Sequence, residues 1–220
     1  MTDNLNQRIS YSYDAYKNVI KTETSSADSS LALLVDSIYD NRNRLIETRA
    51  PHIGIEESIT QRLLDANSNL IGLIDPNGNA SSNSYDAFNR LDSNTHREGG
   101  ITQYTYDDQD RIIKVTAPNG VITDYEYDII SRRTKEISPD RGTMSYDYDL
   151  ANNVISITDG RAITATMSYD SLERVASKTY PNTIAGKIED VTYTYDTCAF
   201  GLGFLCARAD ESGSYSYNYD

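Results

Sequence analysis

The sequence predicts an all-β chain, a repetitive ribbon of antiparallel hairpins, and three observations carry that prediction. Tyr-Asp recurs at a fixed spacing, aromatic residues stand two apart ahead of it, and turn residues close each run. Composition alone is less decisive. Leu, Ile, Val and Phe make up 45 of 220 residues, and the formal net charge of −13 places the chain near the disordered boundary. Eighteen Tyr with no Trp argue against disorder, since disordered acidic chains are poor in aromatic residues.

The repeat is defined by nine pairs, Tyr13-Asp14, Tyr39-Asp40, Tyr85-Asp86, Tyr106-Asp107, Tyr127-Asp128, Tyr148-Asp149, Tyr169-Asp170, Tyr195-Asp196 and Tyr219-Asp220, and Leu64-Asp65 fills the gap in the series. From Asp65 to Asp170 the Asp residues are 21 apart five times in succession. The remaining spacings of 26, 25, 26 and 24 are the same unit with a few residues added. Residues 1–10 form a lead-in and 11–220 the array, with insertions near 24–34, 52–60 and 182–190. Tyr146-Asp147 is out of phase and is set aside as chance.

Each part of the unit has a local reason. Tyr104 and Tyr106, Tyr125 and Tyr127, Tyr146 and Tyr148, and Tyr193 and Tyr195 are two apart, so in a strand both rings share one face. The Asp that follows suits an Asx-turn, its carboxylate accepting backbone N–H groups one or two residues on. Four residues after it stands Arg44, Arg90, Arg111, Arg132 or Arg174, usually followed by an aliphatic residue that opens a second strand. That strand is less regular: Ile155 and Ile157 are expected to share a face, whereas residues 132–136 are almost wholly polar. A two-layer sandwich needs one consistently apolar face, which this pattern lacks. Eleven residues after the Asp come Pro51, Pro76, Pro118, Pro139 and Pro181, and Gly78 and Gly120 complete a Pro-x-Gly bend. If the strands meander in sequence order, Tyr alternates with aliphatic residues across the sheet and stability is a sum of neighbour interactions.

The signature Tyr-x-Tyr-Asp-x-x-x-Arg-Leu at a period of 21 resembles the YD-repeat, or Rhs-repeat, family. Tyr104-Thr105-Tyr106-Asp107 through Arg111-Ile112 to Pro118-Asn119-Gly120 carries the resemblance best, together with Ser84-Tyr85-Asp86 through Arg90-Leu91. Residues 198–206, with Cys198 and Cys206 at the two ends, resemble a variant repeat with paired cysteines in which Phe204 departs from the usual Arg. The resemblance implies a curved β-ribbon wound into a hollow shell. In polymorphic and insecticidal toxins such a shell encloses a toxic C-terminal domain, and in teneurins a related one belongs to an adhesion receptor. The expectation is therefore a fragment of a larger secreted or cell-delivered protein, with the rest of that protein and its cargo as partners.

Chemistry-bearing motifs are few. Asp75-Pro76-Asn77-Gly78 imitates the family's Asp-Pro-x-Gly cleavage sequence but falls at an ordinary bend. Asp65-Ala66-Asn67-Ser68-Asn69 starts like a calcium loop, yet Leu70 takes the glycine position and Pro76 that of the bidentate Glu. His52 and His96 lie in different repeats without cysteine neighbours, which leaves no zinc spacing, and both read as solvated loop residues. Ser25-Ser26 and Ser29-Ser30 read as an inserted loop, with no nucleophile elbow. Cys198 and Cys206 are open to two readings, a hairpin staple suited to an oxidising compartment or two small buried thiols.

No enzyme, cofactor or metal is expected. Excess acid with no basic block disfavours nucleic acid, no apolar run approaches the length of a membrane span, and no cleavable leader is visible in the first residues. The leading expectation is a non-catalytic structural segment of a toxin shell. The alternative is a surface adhesion or carbohydrate-binding module, whose partners would be glycans or receptors stacked on rows of Tyr.

Overall fold

The structure is a computed structural model and describes residues 8–25, 31–52, 55–180 and 190–220; of residues 31–32, 51–52 and 55–56 only the backbone is described. Every regular element among the described residues is a β-strand. The chain divides into two compact units, residues 1–105 with 117–119 and residues 106–116 with 120–220.

The first unit holds β1 (Arg8–Tyr13), β2 (Val19–Ser25), β3 (Leu31–Tyr39), β4 (Leu45–His52), β5 (Ile55–Leu64), β6 (Leu70–Ile74), β7 (Ala80–Tyr85), β8 (Leu91–Thr95) and β9 (Ile101–Tyr106), which ends at the boundary. Each of β1 to β8 pairs antiparallel with the next. The second unit holds β10 (Ile112–Thr116), β11 (Ile122–Tyr127), β12 (Arg133–Ser138), β13 (Gly142–Tyr148), β14 (Val154–Thr158), β15 (Thr164–Tyr169), β16 (Val175–Thr179), β17 (Val191–Tyr195), β18 (Leu205–Asp210) and β19 (Gly213–Ser216). These strands also pair antiparallel in sequence order. Within each unit strands touch only their neighbours in sequence, so among the described residues no second layer of strands covers the sheet. Burial is correspondingly thin. Ala165 and Cys206 are the buried apolar residues among those described, and most Tyr and aliphatic side chains are half-buried.

One turn recurs at the end of each first strand. In Asp128 to Arg132 the Asp128 N–H donates to the Arg132 carbonyl, and the Ser131 N–H donates to the Asp128 carbonyl. This is a three-residue hairpin loop, a type I turn followed by a residue in the left-handed region. Lys17, Asn43, Ser68, Asn89, Asp110, Ser131, Asn152 and Glu173 take that position, with φ between 60° and 74°. Most are Asn, Asp or Ser, short polar residues suited to turns, and Asn and Asp tolerate positive φ best after glycine. The second bends use the same geometry where Asp75 bonds Asn79 and Asp159 bonds Ile163. Gly78 takes the left-handed position of the first at φ 79° and Ala162 that of the second at φ 60°, and Gly120, in the bend after Pro118, stands at φ 80°.

A β-bulge follows each turn, and it corrects the expectation for the second strand. Tyr148 faces Val154, but Asp147 faces Ser156, so Ile155 is the extra residue and Ile157 returns opposite Tyr146. Ile155 and Ile157 therefore do not share a regular face. Val154 and Ile157 do, because one inserted residue reverses the two-residue period. The same shift recurs at Tyr13, Tyr39, Leu64, Tyr85, Tyr127, Tyr169 and Tyr195.

The insertions expected near 24–34, 52–60 and 182–190 are only partly visible. Residues 26–30, 53–54 and 181–189 lie outside the described residues, and with them Ser26, Ser29, Ser30 and Pro181. What is described shows the first two insertions lengthening strands: β3 has nine residues and β5 ten.

Candidate functional site

The sequence signature converges on a bonding lattice at the turns. The Asp170 carboxylate accepts the N–H groups of Leu172 and Arg174 on one oxygen, and the Arg174 Nε donates to the other at 2.8 Å. Asp40, Asp86, Asp107 and Asp128 repeat this with Arg44, Arg90, Arg111 and Arg132. Asp14, Asp65 and Asp149 have Asn18, Asn69 and Asn153 instead. The N–H donors lie two and four residues on, further than the local Asx pattern suggests. Every one of these carboxyls is held below the ordinary carboxylate range. For Asp170 the Arg174 side chain is the main cause. For Asp128 burial pushes upward, and bonds from the Arg132 backbone and side chain outweigh it.

Most repeats are then tied to the one before them. The hydroxyls of Tyr39, Tyr85, Tyr127, Tyr148, Tyr169, Tyr195 and Tyr219 donate to the carbonyls of Val19, Leu70, Ile112, Arg133, Val154, Val175 and Leu205, at 2.7 to 3.2 Å. Each acceptor is the first residue of the previous repeat's second strand. Arg makes a second tie: Arg111 and Arg132 donate to the carbonyls of Asp128 and Asp149. Their guanidinium carbons stand 4.8 and 4.6 Å from the ring centroids of Tyr127 and Tyr148, and Arg174 stands 4.2 Å from that of Tyr195. Tyr125 and Tyr193 are half-buried on the same face as their partners in β11 and β17, as is Tyr104 in β9. Tyr13 is exposed, its ring 6.5 Å from that of Tyr11.

The last repeats vary the theme. Cys198 and Cys206 are joined by a disulfide with a Cα separation of 5.4 Å. A Cβ on Gly201 would lie 2.2 Å from the Cys198 sulfur, so the loop needs glycine there. Phe204 takes the place of Arg and stacks on Tyr219 with ring centroids 4.7 Å apart. Asp196, left without an Arg of its own, receives both amino groups of Arg174 at 3.1 and 2.5 Å and the Gly203 N–H.

A charged cluster inside the Tyr face escaped the sequence reading. Glu136 is 5 % exposed and lies opposite Tyr125. Arg133 pairs with one of its oxygens at 3.1 Å, Arg141 pairs with the other, and the Arg133 guanidinium also stands 4.9 Å from the Tyr146 ring centroid. Burial, and then the Glu136 charge, raise the Tyr125 pKa. The available signal was positional: eight residues after the repeat Asp other units carry Leu73, Val115 or Ile157, and an acid there has to be paired if it faces inward.

Groups suited to chemistry are dispersed. Among the described residues no three of His, Cys, Asp and Glu gather as a metal site. Asp65 spends its carboxylate on Asn67 and Asn69, and Asp75 spends its own on Asn77 and Asn79. His96 is exposed in a second bend with Nε2 3.1 Å from the Thr102 hydroxyl; the His52 side chain lies outside the described residues. No helix among the described residues is long and apolar enough to cross a membrane.

Fold and lattice together define a β-hairpin repeat protein whose recurring polar groups bond one hairpin to the next. Comparison with known proteins agrees. The family described as RHS Repeat matches residues 93–122 and 106–143, so this stretch carries Rhs, or YD, repeats. No curated protein matches the chain. Among solved structures, TcdB2-TccC3 without its hypervariable C-terminal region aligns at a TM-score of 0.66 and 16 % identity, over 99 % of this chain and 15 % of that one. TcdB2-TccC3 itself gives 0.66 and 16 % over 96 % and 15 %. A Tc holotoxin pore from Photorhabdus luminescens gives 0.64 and 16 % over 96 % and 14 %. The chain thus spans about one-seventh of the structures it resembles.

Proposed function

We propose that the chain is a non-catalytic wall segment of an Rhs-type toxin shell, delivered outside the producing cell within a larger protein that carries a C-terminal cargo. The observation that carries this reading is the lattice. Turn Asp carboxylates are taken up within their own hairpins, and Tyr hydroxyls and Arg side chains bond the neighbouring repeat, which suits a wall and leaves few of these groups free for chemistry. Likeness to TcdB2-TccC3 supports the fold half of the proposal. The glycan-binding alternative gains nothing from the geometry, since Arg already covers a face of the Tyr127, Tyr148 and Tyr195 rings.

The test is the intact mass of the native gene product with its terminal peptides sequenced. Further repeats and a C-terminal domain that resists protease until the array is cut would support the shell. A native product comprising residues 1–220 alone, folded and free of any cargo, would sink it.

A further inference from the structure

The two edges of the second unit differ in chemistry. Its YD turns all lie at one end of the strands, because every second connection in an antiparallel meander returns to the same end. At that edge Ile129, Ile130, Leu150, Leu172, Phe200 and Leu202 occupy the tips of four hairpins, with exposures from 59 % to 105 %. The opposite edge presents Asp140, Arg141, Arg161, Glu211 and Ser212, all exposed. Nothing in the hairpin geometry asks for apolar residues at these tips: in the first unit the same turns carry Ala15, Asn41, Arg42, Ala66 and Asn67 beside Tyr16 and Phe88.

Charge is sparse at the four apolar tips, and the exposed acids Asp108 and Asp110 stand outside them, at the unit's first YD turn. Asp128, Asp149, Asp170 and Asp196 are all bonded within the lattice by Arg132, Asn153 and Arg174, and Glu173 is the ionised side chain beside Leu172. The tips recur every second strand, at a pitch of roughly 10 Å. A row of knobs at that pitch is matched over its whole length by another edge with the same pitch, whose tips fall into the gaps. Six large side chains on each side would bury on the order of 1,200 Å² in total, the lower end of what specific association uses.

We infer that the YD-turn edge of the second unit is a protein-binding seam, and that its occupant in solution is the same edge of a second copy of this chain. This inference is independent of any cargo, so it stands or falls apart from the shell proposal.

The test is sedimentation velocity of the full 220-residue chain across a concentration series, alone and with phosphatidylcholine vesicles. The expected result is a reversible dimer whose dissociation constant rises at least ~10-fold in the variant carrying Ile129→Ser, Leu150→Ser and Leu172→Ser. Circular dichroism should be unchanged, because these side chains lie at exposed turn tips. The single change Leu150→Lys should weaken the dimer in the same direction. Three results would overturn the inference: a wild-type monomer at every concentration, association unaltered in the triple variant but lost with Tyr11→Lys on β1, or vesicle binding by a chain that is otherwise monomeric. The second would assign association to the open strand, the third to a bilayer.

Discussion

Asn69 in the first unit and Arg132 in the second occupy the same place in the repeat, four residues after the turn Asp. Asn69 bonds its own Asp65 at 2.9 Å and reaches forward to the Asn89 side chain. Arg132 bonds its own Asp128 at 2.6 Å, then reaches the Asp149 carbonyl, the Asn152 side chain and the Tyr148 ring. Both turns have the same backbone bonds. The Asp therefore makes the hairpin, and the residue four later sets how firmly one hairpin holds the next. Arg44 shows the intermediate case: it reaches the Asp65 carbonyl, but Leu64 stands where a ring would be.

Acid should have the largest effect and should not distinguish the units. The turn carboxyls lie below the ordinary value of 3.8 in the folded chain. Lowered folded values mean that the unfolded chain binds protons more readily, so this stability is present above about pH 4 and is lost as pH falls through the lowered values. Denaturant midpoints measured from pH 7 to pH 2 should be flat and then fall. A midpoint insensitive to pH below 4 would deny the turn Asp its role.

The disulfide should separate the units. Replacing Cys198 and Cys206 with Ser should cost about 2–3 kcal/mol by loosening the loop in the unfolded chain. Gly201→Ala should cost about 1–3 kcal/mol by crowding the sulfurs. Hydrogen exchange should quicken around β17 and β18 and stay unchanged around β5 to β8. Equal quickening in both places would mean that the units unfold together.

Single hydroxyls come next. Tyr148→Phe should cost about 1 kcal/mol by removing the hydroxyl that donates to the Arg133 carbonyl, and Tyr85→Phe should cost less, because the Asn83 side chain also donates to the Leu70 carbonyl. Thermal melts of the two variants compare the same tie in each unit.

The smallest effect is an exchange. Arg132→Asn should keep its hairpin and lose the ring contact, about 0.5–1 kcal/mol, while Asn69→Arg should gain a comparable contact with Tyr85. Opposite signs in the two melts would sharpen the comparison. The same sign would show that the ring contact does not set the difference.

Much of this organisation is legible in residue order. The period of 21, the Tyr-x-Tyr face and the turn Asp are local patterns, and each unit of them became two strands and two bends. The parity of the second strand was not legible, since a bulge at Ile155 leaves no mark in residue type. Nor was the partner of Phe204 legible. Its exchange for Arg reads as a defect until the Tyr219 ring is found beneath it.

By itself the sequence determined the hairpin, because turn chemistry and strand alternation act over fewer than ten residues. Tertiary structure alone decided which repeat pays out its bonds to which. Tyr39 donates to Val19 twenty residues back, Arg174 serves an Asp twenty-two residues ahead, and Glu136 is sheltered between two Arg and a Tyr. Those partners are neighbours only once bulge and register have set the strands side by side, so the chemistry of the lattice emerges from pairing and not from the order of residues.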